Sequence, residues 1–227
     1  MKPAIFSLMY YFRIIVYLVV LTGFQQATAG SYDDFFKAIE LDDDVTINSL
    51  LQRGFDPNTV NPSGTAGLLL ALHGDALKVV NSLLRWSSTH IDIRNDKDES
   101  PLMLAALNGH AQLCQTLIDK GAAVNKPGWA PLHYAATHGQ VAVINLLLDD
   151  NAFIDARSPN GTTPLMMAAY YGTPSAVKVL LEAGADSSLK NDLGLNALDF
   201  ANRGKHNDSA ELILAFMRGR LSQKEGE

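Results

Sequence analysis

Apolar residues recur along this chain in pairs of short helical patterns. In residues 163–169 a Thr-Pro pair is followed by apolar residues at helical spacing, and a second apolar set occupies residues 177–181. Proline in the first turn of a helix loses no hydrogen bond, and the hydroxyl before it can cap free amide groups. Gly184 can supply the backbone conformation that ends a helix. The pattern therefore predicts two amphipathic helices joined by a short turn.

This helical hairpin recurs at a nearly constant interval. The motif at residues 163–169 is matched at 100–106 and 130–136, and more weakly at 196–202. The step from the motif at 100–106 to the motif at 130–136 is slightly shorter than the two later steps along the chain, which are equal. With two weaker copies upstream, the chain contains six predicted repeats, numbered 1 to 6, at approximately residues 32–60, 61–94, 95–125, 126–157, 158–190 and 191–217.

A period of about 33 residues headed by Thr-Pro-Leu-His-x-Ala is the pattern of the ankyrin repeat, and the chain resembles this family from about Tyr32 to Met217. The resemblance implies an all-α fold, a solenoid of about six helix-turn-helix units with short projecting β-turns. One such hairpin leaves much of its apolar surface in water, so that surface must be buried by stacking the hairpin on its neighbours. Residues 218–227 are predicted to form a polar C-terminal tail.

Three departures from the repeat pattern predict local irregularities. The linker at residues 125–129 is three residues short, so its projecting turn should be truncated. Repeat 2 has Ala66-Gly67 where Thr-Pro is expected, which predicts a helix that begins less firmly. The linker after repeat 2, at residues 86–90, lacks the usual glycine turn and is expected to be distorted.

Residues 1–29 form a separate segment that has the pattern of a secretory signal peptide. This segment contains two basic residues and no acidic ones. Its apolar run at residues 14–24 is shorter than the roughly twenty residues that cross a bilayer. The small side chains of Ala27 and Ala29 predict cleavage after Ala29. An uncleaved membrane anchor is the alternative, but it would place Arg13 inside the membrane. Either outcome predicts export, to the periplasm or as a secreted protein.

Composition narrows the possible functions. The chain has 227 residues, 47% of them hydrophobic, which is typical of a globular protein. A formal net charge of −6 argues against nucleic-acid binding, because phosphates require clustered Lys and Arg. Removing the leader takes away two of the 18 basic residues and none of the 24 acidic ones, which lowers the charge to −8. The single cysteine excludes an intramolecular disulfide and multi-cysteine metal sites.

Sequence motifs for catalysis are missing. The chain has no Gly-rich phosphate loop, no G-x-S-x-G elbow and no H-E-x-x-H helix, so no enzyme, cofactor or metal site is predicted. His133 is interpreted as a helix-packing residue, as the resemblance implies, with a ligand role as the alternative. Cys114 is expected to be buried rather than reactive. The methionines at positions 103, 166 and 167 are expected to fill the core.

The resemblance to ankyrin repeats implies that partners dock on the concave side, against the projecting turns and the first helix of each repeat. Transferred to this sequence, that surface gives the predicted partner-binding residues Trp129, His138, Tyr170, Tyr171, Thr137, Asn108, Lys97, Glu99 and Leu195. Aromatic side chains on a surface are common anchors of protein interfaces. We therefore predict an aromatic patch on repeats 4 and 5, with packing against neighbouring turns as the alternative role for these rings.

Two functions are consistent with these features. The first is a noncatalytic protein–protein interaction module of the cell envelope. The alternative is an inhibitor or immunity-type protein that blocks an enzyme or toxin in the same compartment. In both cases the partner is another protein, which the negative charge predicts to be basic, with no nucleic acid and, after cleavage, no membrane involved. A repeat stack whose first and last repeats carry polar outer faces is expected to be a monomer.

Overall fold

The computed structural model describes residues 30–224, with side chains up to residue 219, and its ordered elements in that range are helices joined by turns. The predicted leader, including Ala27 and Ala29, lies outside the described residues. The helices are α1 (30–40), α2 (Asp44–Gln52), α3 (Gly67–His73), α4 (Leu77–Arg85), α5 (Pro101–Asn108), α6 (Ala111–Asp119), α7 (Pro131–Thr137), α8 (Val141–Asp149), α9 (Pro164–Tyr171), α10 (Pro174–Glu182), α11 (Ala197–Gly204) and α12 (Asn207–Lys224). The predicted all-α fold class is thereby confirmed.

The chain is grouped into two compact units, an N-terminal unit that ends at Thr89 and a C-terminal unit that begins at His90. In the N-terminal unit, α2 and α3 both pack against α4. Phe35, Leu69 and Val80 are fully buried there, and the Phe35 ring lies 4.9 Å from the ring of Phe55. Helix α1 thus contributes an aromatic side chain to the core of this unit.

The C-terminal unit is built from the helical hairpins α5–α6, α7–α8, α9–α10 and α11–α12. Helices α5, α7, α9 and α11 pack side by side and form what we call the first-helix row; α6, α8, α10 and α12 form the second-helix row. The alanine pairs at residues 105–106, 135–136 and 168–169 are at most 1% exposed. Small side chains at these positions allow neighbouring helices to approach closely, so the core runs between the hairpins.

Helices α5 and α9 begin at reciprocal caps. Ser100 Oγ accepts a hydrogen bond from the Met103 N–H at 3.3 Å, and Thr163 Oγ1 accepts one from the Met166 N–H at 3.4 Å. In return, the sulfur of each methionine accepts the N–H of the cap residue at 3.4 Å. The predicted Thr-Pro start of the helix is therefore completed by the side chain at the fourth position of the motif.

The projecting turns are held by asparagine side chains. Asn61, Asn95 and Asn191 each accept hydrogen bonds from the backbone N–H groups two and four residues later, at 2.9 to 3.1 Å. Such side-chain bonds replace backbone partners inside a turn. In the turn at residues 158–162, Ser158 Oγ takes this role and accepts the Thr162 N–H at 2.9 Å.

The short linker at residues 125–129 is fastened by a lysine. Lys126 Nζ contacts the carboxylate of Asp98 in the preceding turn and donates a hydrogen bond to the Trp129 carbonyl at 3.0 Å. Its side chain is only 8% exposed. The ammonium group therefore ties Trp129 to the previous repeat at the place where other linkers carry a longer turn.

Repeat 2 and the C-terminus show three further local features. Helix α3 begins without a side-chain cap, as the Ala66-Gly67 pair predicts. After α4, Thr89 Oγ1 donates to the Leu83 carbonyl at 2.6 Å, which closes the helix end that lacks a glycine turn. Helix α12 continues to Lys224, so it includes the first part of the predicted polar tail. Among the described residues, no helix is long and apolar enough to cross a membrane.

A missing cap at α7 gives a stability prediction. Ala130 occupies the N-cap with backbone angles close to those of Ser100, but it has no hydroxyl. Ala130→Ser is expected to raise the unfolding free energy by up to about 1 kcal/mol, because the new hydroxyl can accept the N–H of residue 133, which otherwise bonds to the Ala130 carbonyl at 2.9 Å. Urea denaturation measures the change. Ala142→Ser, at an exposed position of α8, is the control that should give no gain; an equal gain there would contradict the capping explanation.

A close approach between helices gives a second stability prediction. A Cβ atom at Gly172 would lie 2.5 Å from the Ala136 carbonyl oxygen and 2.9 Å from the Ala168 backbone. Gly172→Ala is therefore expected to lower the unfolding free energy by about 1–3 kcal/mol, since backbone atoms would have to move apart. A Cβ atom at Gly219 would have open space around it. Gly219→Ala should therefore leave the thermal melting temperature unchanged or slightly higher. Equal effects of the two substitutions would refute the steric explanation.

Candidate protein-binding surface

The exposed ends of the first-helix row carry most of the predicted partner-binding residues. Asn108, Thr137 and Tyr171 lie at the C-terminal ends of α5, α7 and α9, and His138 is the residue that caps α7. Asn108 and His138 are exposed, and Tyr171 is 59% exposed. Equivalent positions of successive repeats therefore align along one edge of the C-terminal unit.

An open pocket lies in this surface, and we call it the Trp129 pocket. It has a volume of about 220 Å³. Its walls come from three successive first helices and the short linker, and are formed by Leu107, Trp129, Tyr134, Thr137 and Met167. Every one of these side chains is uncharged, and each is partly exposed. The pocket therefore presents an apolar concavity on a set of packed helices.

Both hydroxyl groups in the pocket wall already have partners. Thr137 Oγ1 donates to the His133 carbonyl at 2.7 Å. The Tyr134 hydroxyl donates to Glu99 Oε1 at 3.1 Å, and Glu99 Oε2 accepts the Asn95 side-chain amide at 2.7 Å. Burial, together with the neighbouring Glu99 carboxylate, raises the pKa of Tyr134 above its usual range. Tyr134 thus stays a neutral donor that joins the pocket to the turn of repeat 3.

His133 supports the pocket from the core. It is fully buried, and its ring meets the Trp129 ring edge-on at a centroid distance of 5.3 Å. Nδ1 accepts the Ala130 N–H at 3.1 Å, so the proton resides on Nε2, which lies 3.0 Å from the Thr162 carbonyl and donates to it. Burial lowers the pKa of His133 to about 4. The neutral imidazole joins repeats 4 and 5 and has the helix-packing role that was predicted.

A second aromatic group lies on α9 and α11. The ring centroids of Tyr170 and Tyr171 are 4.3 Å apart, and Tyr170 meets Phe200 in an edge-on arrangement at 6.1 Å. Neither tyrosine lines the Trp129 pocket. Trp129 therefore lines the pocket, whereas Tyr170 packs against Tyr171 and Phe200; a single binding patch on repeats 4 and 5 stays a prediction.

The remaining predicted residues make separate contacts. His138 Nδ1 lies 3.0 Å from the Leu107 carbonyl, which links the ends of α7 and α5. Lys97 and Leu195 lie on projecting turns, where their backbone N–H groups are bound by asparagine side chains. The structure thus brings Trp129, Thr137 and, through Tyr134, Glu99 together, while the others lie elsewhere on the row or its turns.

Sequence reasoning missed Tyr134 and Met167 as pocket residues. Both occupy the variable position after the fourth residue of the motif, and Phe200 has the same position in repeat 6. A large side chain at that position was the sequence feature that could have indicated these pocket residues. Met103 and Met166 are buried in the core as predicted, whereas Met167 is partly exposed, so the prediction of a core role was wrong for Met167.

The described residues offer little reactive chemistry. Within residues 30–224, no group of three or more His, Cys, Asp or Glu side chains could hold a metal ion. Cys114 is fully buried, and burial raises the pKa of its thiol to about 12. The thiol is therefore protonated at neutral pH, in agreement with the predicted buried role.

Comparison with known proteins identifies the family. Models of ankyrin repeats in three copies match residues 35–126 and 68–158, and a model of ankyrin repeats in many copies matches residues 151–201. The chain therefore belongs to the ankyrin-repeat family, whose repeats are protein-interaction modules.

Relatives share the repeats within much larger proteins. The chain is 34% identical over 142 residues to the mouse ankyrin repeat and SAM domain-containing protein 6, covering 61% of this chain and 16% of that protein. It is 30% identical over 171 residues to the tyrosine-protein kinase Shark of Drosophila melanogaster, covering 73% and 18%. The chain thus spans less than a fifth of the length of these relatives.

A solved structure resembles most of this chain. It belongs to the complex of the predatory endopeptidase Bd0816 from Bdellovibrio bacteriovorus with immunity protein Bd3460. The matched chain has a TM-score of 0.68 and 28% sequence identity, and the similarity covers 80% of this chain and 97% of that one.

Burial of His133 predicts a pH-dependent stability. Because its pKa is lowered to about 4 in the folded state, the unfolded chain binds the proton first as the pH falls below about 6.5. Stability is therefore lost between about pH 6.5 and 4, by an amount on the order of 3 kcal/mol. His133→Met, which copies Met103 and Met166 at this motif position, should remove that share of the pH dependence. Urea denaturation of both proteins across this range measures the difference; parallel curves would contradict the assignment.

Proposed function

We propose that this chain is a noncatalytic protein-binding module of the cell envelope, whose partner docks on the exposed face of the first-helix row. The observation that carries the proposal is the Trp129 pocket, an apolar concavity lined by Leu107, Trp129, Tyr134, Thr137 and Met167. An apolar pocket beside partly exposed aromatic rings is a common anchor point in protein interfaces.

Rigidity of the surface supports this role. Helices α5, α7 and α9 pack directly against one another, and the linker that carries Trp129 is fixed by Lys126 and by the buried His133. A surface that is already ordered loses little conformational entropy on binding. The partner would therefore meet a preformed site rather than one that must fold around it.

Location in the envelope rests on the leader sequence. Residues 1–29 have the charge and apolar pattern of an export signal, with Ala27 and Ala29 at the cleavage positions. The mature protein would be a periplasmic monomer with a charge of −8, and it would bind neither nucleic acid nor, after cleavage, membrane. An acidic protein of this kind is steered toward basic partners.

An inhibitor or immunity-type protein is the second candidate function. It is favoured by the similarity to a chain from the solved complex of an endopeptidase with an immunity protein. In this function the first-helix row would cover the active site of an enzyme in the same compartment. The two candidates share the surface and differ in what binding does to the partner.

Affinity capture from the native envelope tests the proposed surface. Trp129→Ala combined with Tyr170→Ala is expected to weaken capture of the partner at least about tenfold, because both substitutions remove large partly exposed rings. Phe153→Ala is the matched control, since this exposed aromatic residue lies in the linker after α8 and outside the pocket. Circular dichroism confirms that each variant is folded. Undiminished capture by the folded double variant would refute the surface.

Activity of the captured partner separates the two functions. An inhibitor is expected to abolish the partner's enzymatic activity at equimolar concentration, and the double variant should restore it. An interaction module of the scaffold type should leave the activity intact while the complex still forms.

A further inference from the structure

We propose that the Trp129 pocket receives one uncharged aromatic side chain of the partner, with a basic residue beside it. This inference rests on the proposed function and specifies the chemistry of the partner at that surface. It is supported by the size of the pocket, the state of its polar groups and the charges on the adjoining turn.

Size fits a single ring. The pocket volume of about 220 Å³ exceeds the roughly 150 Å³ of a cavity that holds a benzene molecule. Trp129 and Tyr134 contribute aromatic rings to the wall, and Met167 contributes a polarisable thioether. Contacts of both kinds favour an aromatic guest.

Chemistry of the wall favours an uncharged guest. The hydroxyl protons of Thr137 and Tyr134 are already donated to the His133 carbonyl and the Glu99 carboxylate. The pocket walls therefore hold no hydroxyl donor waiting for a ligand. A charged group placed among these uncharged walls would lose its hydration without gaining a counter-charge there.

Charge on the adjoining turn favours a basic neighbour. Glu99 joins this turn to the pocket through Tyr134. The side chain of Asp98 is 62% exposed, whereas its partners Lys126 and Arg94 are only 8% and 28% exposed. Asp96 is exposed as well, and Lys97 is the exposed cation of the turn. Asp96 and Asp98 thus face solvent, whereas Lys126 is nearly buried and Arg94 is partly buried, so a Lys or Arg beside the aromatic anchor is complementary to the exposed carboxylates of this edge.

Short peptides provide a direct test on the purified protein. The probes are acetyl-Lys-Phe-Lys-amide, acetyl-Lys-Ala-Lys-amide and acetyl-Glu-Phe-Glu-amide. The readout is the methyl NMR signal of Met167 after methionine labelling, with the fully or almost fully buried Met103 and Met166 as internal references. Lys-Phe-Lys is expected to shift the Met167 signal saturably. It should bind at least about tenfold more tightly than the alanine peptide, because the alanine peptide has no ring to bury. Glu-Phe-Glu should also bind more weakly.

A pocket-filling variant locates the binding. Thr137→Phe should abolish the Lys-Phe-Lys response by occupying the pocket. Thr116→Phe is the matched control, because Thr116 is also partly exposed on a helix, and its hydroxyl likewise donates to the carbonyl four residues earlier, at 2.9 Å. A thermal melt verifies that both variants are folded.

Three results would overturn the inference: no shift of Met167 up to the solubility limit of Lys-Phe-Lys, an equal response to the alanine peptide, or undiminished binding to folded Thr137→Phe. Failure of the proposed function would appear differently, as an envelope capture that does not depend on Trp129 and Tyr170. A captured partner that requires those two residues, together with silent peptides, would refute the aromatic anchor alone.

Discussion

The structure of the C-terminal unit depends on one constraint: a single pair of short helices cannot bury its own apolar surface. The pairs of buried alanines in α5, α7 and α9 allow successive first helices to lie in close contact. The spacing is tight enough that Gly172 meets the Ala136 carbonyl with no room for a side chain. Stability is therefore distributed over the interfaces between hairpins, and it is limited by backbone separation as much as by apolar area.

Stacking of this kind also decides where a ligand can bind. The faces between hairpins are occupied, so a ligand must bind on the outside of the stack, and the exposed side of the first-helix row with its turns is one such surface. The shortened step from Pro101 to Pro131, between repeats 3 and 4, changes that surface locally. Lys126 fastens the shortened linker, and Trp129 consequently lies beside Tyr134 and Thr137 as a wall of the pocket. A deletion from the repeat period thus generates the most distinctive feature of the site.

Buried polar groups in this region serve the stacking. His133 bonds to the cap of its own helix and to the carbonyl of Thr162 in the next repeat. In repeats 3 and 5 a methionine sulfur accepts the cap N–H in place of the histidine nitrogen. In repeats 3, 4 and 5 the side chain at the fourth position of the motif therefore supplies an acceptor for the cap N–H. A histidine adds a donor that reaches the neighbouring repeat, at the cost of sensitivity to acid.

The sequence by itself determined the elements: the repeat period, the Thr-Pro starts, the alanine pairs and the family are all local patterns, visible within one repeat or from one repeat to the next. Helix propensity and capping act over this range, so they are readable without the fold. Only the tertiary structure decided which residues meet across repeats. The Tyr134 hydroxyl bonds to Glu99, 35 residues earlier, and the pocket combines Leu107, Trp129 and Met167 from three repeats. Those contacts depend on the distance and rotation between stacked hairpins, which no local pattern specifies. For the same reason the contact of Tyr170 with Phe200 of the next repeat is visible only in the structure.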